Sequence, residues 1–83
     1  MQGGGQANAP THRLDVRGFR CPIPVGETRQ ALGGLERGHV LEVRFDDPEA
    51  LEDLPPMLAR HGHRVLSIEE IAGDWRMCIE VMM

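Results

Sequence analysis

The chain has 83 residues, 41% of them hydrophobic, three aromatics (Phe19, Phe45, Trp75) and a formal net charge of −4. That length holds one small domain with an aliphatic core, and its apolar runs are far too short to cross a bilayer. An acidic chain with no basic run and almost no aromatic interleaving also excludes stable nucleic-acid binding, because neutralising phosphates requires a positive field.

The charge is uneven: residues 1–40 carry five arginines against three acids and residues 41–83 four against ten, giving +2 and −6. The opening MQGGGQANAP can bury almost nothing, so a flexible tail is expected over residues 1–11, followed by a single domain over 12–83. It lacks the apolar stretch of a secretory signal, which predicts a cytoplasmic protein whose thiols stay reduced.

From His12, Leu14 and Val16 alternate with Arg13, Asp15 and Arg17, the pattern of a half-buried strand ending at Gly18. Between Pro22 and Glu36, apolar steps of three and four through Val25, Thr28, Leu32 and Leu35 predict a helix face. In HVLEVRF, Leu41, Val43 and Phe45 point one way and Val40, Glu42 and Arg44 the other, as in a strand. A parallel crossover is the default for this strand-helix-strand order.

Asp46-Asp47-Pro48 opens a second helical stretch, with Leu51, Leu54, Leu58 and His61 on one face and Gly62 ending it. Pro55-Pro56 predicts an interruption, with a restart capped by Asp53. Strands over His63–Ile71 (Leu66 and Ile68 inward) and Trp75–Met82 (Met77, Ile79 and Val81 inward) are joined by a hairpin turn at Ala72-Gly73-Asp74. The expected fold is an α/β two-layer sandwich of βαβαββ order, a four-stranded mixed sheet with two helices on one face. Its opposite face, with Arg13, Glu42, Arg44, Arg76 and Cys78, is wet or an interface, and its polarity favours a monomer.

Two cysteines 57 positions apart make neither a CxxC motif nor a zinc set, and His61-Gly62-His63 lacks companion ligands, so no metal and no cofactor is expected. Cys21 falls past the end of the first strand, where a sheet of this kind gathers reacting groups. A helix N-terminus, with Arg17 and Arg20 nearby, predicts a stabilised thiolate, while Pro22 and Pro24 stiffen the turn. His12 is a candidate neighbour of the thiol. Cys78 has nothing activating beside it in sequence and reads as an ordinary strand residue.

The stretch LDVRGFRCPIP, residues 14–24, resembles the signature of the TusA (SirA-like) family of sulfur carriers, whose hallmark is Cys-Pro-x-Pro at the start of the first helix. Asp46-Asp47-Pro48, Asp53-Leu54-Pro55 and Gly62 continue the likeness over residues 13–81. The resemblance implies a sulfurtransferase-type carrier rather than a pocket-based enzyme. By that resemblance Cys21 is expected to accept sulfane sulfur as a persulfide from a cysteine desulfurase or rhodanese-like donor and to relay it to an acceptor protein. The family's destinations include tRNA thiolation, molybdenum cofactor biosynthesis and sulfur oxidation.

It further implies roles in the turn or in partner contact for Asp15, Arg17, Gly18, Arg20, Pro22, Pro24, Arg29 and Asp47. Ile23 and Gly26 depart from the family pattern beside the thiol. The rival reading is an adaptor module that uses the same turn for docking, with Cys21 unmodified.

Overall fold

The computed structural model describes residues 9–82. The residues of the expected tail up to residue 8, and Met83, lie outside this range. The elements run β1 (His12–Asp15), α1 (Ile23–Gly33), β2 (Val40–Phe45), α2 (Pro48–Arg60), β3 (Arg64–Ile71) and β4 (Asp74–Glu80). The strands lie in the order β1-β2-β4-β3, with β1 parallel to β2 and the other two pairings antiparallel. Both helices cover one face of this mixed sheet, as the alternation of apolar positions requires. Thr11 is already tied to the sheet, its N–H donating to Val40 O at 2.8 Å.

β2 and β4 are central, so their helix-facing residues form the core: Leu41, Val43, Phe45, Met77 and Ile79 are sealed beneath Leu32, Ala50, Leu54 and Leu58. Phe45 and Trp75, paired across the strands, stack with ring centroids 5.7 Å apart. On the opposite face charges pair across strands: Glu42 lies between Arg13 at 3.6 Å and Arg76 at 3.9 Å, and Arg76 also pairs with Glu69. Glu42 is consequently buried, not the wet residue that alternation predicts.

Two expectations need correction. α2 is one continuous helix through Pro55 and Pro56, not two pieces. Each interior proline removes a backbone hydrogen bond and costs ~3 kcal/mol, but Leu54, Met57 and Leu58 beside the pair are buried and hold the helix onto the sheet. Asp53 is therefore a side chain in the helix body rather than a cap. In β3 the register against β4 shifts between Val65 and Ser67, a β-bulge at Leu66. Val65 thus packs on the core in place of Leu66, while Ile68, on this edge strand, stays 44% exposed.

The β3–β4 hairpin lies where expected, but its loop is two residues, not three, because Asp74 already belongs to β4; φ is 49° at Ala72 and 94° at Gly73. Two positive φ values mark a type I′ turn, whose twist matches the strands. Glycine takes this conformation freely, whereas alanine is strained by ~1–2 kcal/mol. Ala72→Asn, restoring the Asn-Gly pair such turns favour, is expected to stabilise the protein by about 1 kcal/mol and raise Tm by about 4–8 °C in thermal denaturation.

Candidate functional site

β1 and β2 are parallel, so the segments that follow them leave the same sheet edge side by side. The segment after β2 contributes Asp46 and Asp47, and the one after β1 contributes Gly18 to Cys21. Asp46 Oδ1 accepts from Gly18 N at 3.0 Å and from Arg20 Nη1 at 3.1 Å. Gly18 turns the chain there with φ of 90°. Asp47 is 3% exposed and serves both elements: Oδ2 accepts from Cys21 N at 2.7 Å and Oδ1 from Glu49 N at 3.2 Å, which caps α2. These two N–H bonds hold the Asp47 carboxyl below the usual carboxylate range.

Pro22 is the residue before α1 rather than its first helical residue. Pro24 is buried, and its carbonyl accepts from Thr28 Oγ1 at 2.7 Å. Cys21, a free thiol, is half-buried at the mouth of a furrow between α1 and α2. Phe19 and Ile23, two residues to either side, are 50% and 45% exposed.

The charges around the sulfur are the reverse of the expected ones. Cys21 Sγ lies 3.7 Å from Asp53 Oδ2, and Asp47, Asp53 and Glu49 all disfavour the thiolate. Together with partial burial, the largest cause, they push the thiol up to about 11. Neither expected arginine compensates. Arg20 is held by Asp46, and Arg17 pairs with Asp15 at 2.7 Å and Asp74 at 3.5 Å. Arg44 joins that group on Asp74 at 2.7 Å. Arg17 draws Asp15 down to about 2, and Arg44 and Arg17 lower Asp74. His12 is not near the thiol either: it stacks on His39, ring centroids 4.8 Å apart.

The structure thus gathers Gly18, Arg20, Cys21, Pro22, Pro24 and Asp47 into one turn, sets Asp15 and Arg17 apart, and places Arg29 along the furrow. Sγ and the carboxylates of Asp47 and Glu49 lie within 4.8 Å of one another, but both Asp47 oxygens already accept from backbone N–H groups. His61 lines the furrow, while His63 Nδ1 accepts from Met82 N at 3.3 Å. Sequence reasoning missed Glu49 and Asp53. Their spacing of four would have placed both on one face of an unbroken helix.

The family profile described as "Sulfurtransferase TusA" matches residues 12–81. The chain belongs to the TusA family. It is 43% identical over 72 residues to a protein of Thermotoga maritima named as a candidate sulfur carrier, covering 86% of this chain and 91% of the relative. The Escherichia coli protein YedF, also named as a candidate sulfur carrier, is 38% identical over 71 residues, covering 86% and 92%. A solved SirA-like protein from Desulfitobacterium hafniense superposes with a TM-score of 0.75 at 26% identity, covering 87% of this chain and 99% of that one. No helix among the described residues is long and apolar enough to cross a membrane.

Asp47→Ala removes a helix cap and orphans the Cys21 N–H, so a fall in Tm of about 10 °C is expected. Because the folded carboxyl is depressed, its contribution is present above the ordinary value of 3.8 and lost as pH falls below it. The stability gap between the native protein and Asp47→Ala in urea unfolding should therefore be wide at neutral pH and shrink on acidification.

Proposed function

We propose that this TusA-family protein carries sulfane sulfur on Cys21. The donor's Cys–S–SH loses its outer sulfur to the Cys21 thiol, breaking the donor S–S bond and leaving Cys21–S–SH and a free donor thiol. An acceptor cysteine then takes that sulfur by the same exchange, with no net oxidation. The supporting observation is the accessible free thiol on a turn whose backbone is fixed by a buried carboxylate. The donor is a cysteine desulfurase or a rhodanese-like protein of the reducing cytoplasm.

The acids give this reading a second part. With the thiol at about 11, only about one molecule in ten thousand is a thiolate at pH 7. The neighbouring acids hold the free thiol protonated, and a partner bringing positive charge against Asp53 and Glu49 favours its ionisation. Exposed Phe19 and Ile23 offer such a partner apolar anchors on both sides of the sulfur.

The same acids favour the adaptor reading, in which the turn docks a partner and Cys21 stays unmodified. Intact mass after incubation with a desulfurase, cysteine and no reductant separates the two. A carrier gains one sulfur, keeps that gain in Cys78→Ser and loses it in Cys21→Ser. No gain with either donor class supports the adaptor.

A further inference from the structure

The furrow beside Cys21 extends well beyond the thiol. A cavity of about 380 Å³ at the cysteine end adjoins one of about 370 Å³, and Arg29, Met57 and His61 line both. Volumes of this size suit small-molecule ligands. Two helical walls form it: Gly26, Arg29 and Gly33 recur at three and four on α1, and Asp53, Met57 and Arg60 do so on α2. A Cβ built on Gly26 or Gly33 meets nothing within 4 Å, so side-chain packing does not exclude larger residues there, and the glycines keep that wall low.

The furrow's charges are segregated. Asp53 stands at the sulfur, and Arg60 lines the same cavity seven residues further along α2, about 10 Å at 1.5 Å per residue, with Arg29 on the facing helix. Among the described residues, Arg29, Arg37 and Arg60 are the arginines in no ion pair, and two of these three line this furrow. Cations without internal partners, set a short peptide's length from a nucleophile, can fix a carboxylate bidentately.

We propose that this furrow binds a peptide-sized low-molecular-weight hydropersulfide, its carboxylates on Arg29 and Arg60 and its sulfane sulfur at Cys21. Cys21–SH and R–S–SH give Cys21–S–SH and R–SH: a bond forms between Sγ and the sulfane sulfur, the ligand's S–S bond breaks, and the proton leaving Sγ ends on the departing thiol. This inference rests on the reading that Cys21 accepts sulfane sulfur, and it adds a route to loading that needs no protein donor.

The probe is glutathione persulfide, compared with 2-hydroxyethyl persulfide, which has no carboxylate, Cys21 loading being followed by intact mass after alkylation. The native protein is expected to load from glutathione persulfide with saturation, at least about tenfold faster at limiting concentration than from the carboxylate-free persulfide. That ratio should fall toward one in Arg29→Gln/Arg60→Gln and with rising salt, and unreactive S-methylglutathione should compete. Equal, unsaturable rates for both persulfides, or a ratio unmoved by the double substitution and by salt, overturn the proposal. Loading by a desulfurase but by neither persulfide overturns it too and leaves the protein-to-protein relay standing, whereas failure with every donor overturns both.

Discussion

The structure depends on one buried carboxylate. Asp47 begins α2 by accepting from Glu49 N and, with its other oxygen, holds the backbone of Cys21. A side chain 3% exposed has no water to satisfy it, so the two N–H groups are its partners and it is theirs. The cysteine turn and the second helix are therefore one mechanical unit, though 26 residues separate them. Parallel pairing of β1 and β2 makes this possible, by bringing the segments after both strands to one edge.

The clamp has an electrostatic consequence. The carboxylate that positions Cys21 also opposes its ionisation, and Asp53 and Glu49 act in the same sense. A helix start contributes about half a unit of positive charge, too little against three neighbouring carboxylates. Position and reactivity are thus separated: the fold fixes a half-buried sulfur whose neighbouring acids disfavour its thiolate. A thiol kept protonated resists oxidation and stray exchange.

Much of the architecture was legible because apolar period and turn chemistry agree. Leu41, Val43 and Phe45 gave β2 its inward face, Met77, Ile79 and Val81 that of β4, and Ala72-Gly73 the hairpin. The misreadings share a cause, the override of local rules by tertiary packing. Pro55-Pro56 reads as a break until Leu54, Met57 and Leu58 are buried together, and the β3 bulge has no local sign because an edge strand tolerates an extra residue. At the site, Cys21 and its prolines were visible as a motif. Its charge environment was not: arginines adjacent in sequence turned to their own acids, Arg20 to Asp46 and Arg17 to Asp15, and carboxylates remote in sequence took their place.

The sharpest test is titration of the Cys21 thiol, followed by thiolate ultraviolet absorbance in the Cys78→Ser background. A midpoint near 11, lowered in Asp53→Asn but still above the ordinary value of 9.0 because burial and Asp47 remain, is the expected result. A midpoint at or below 9.0, unmoved by that substitution, would contradict the claim that burial and the neighbouring acids disfavour this thiolate.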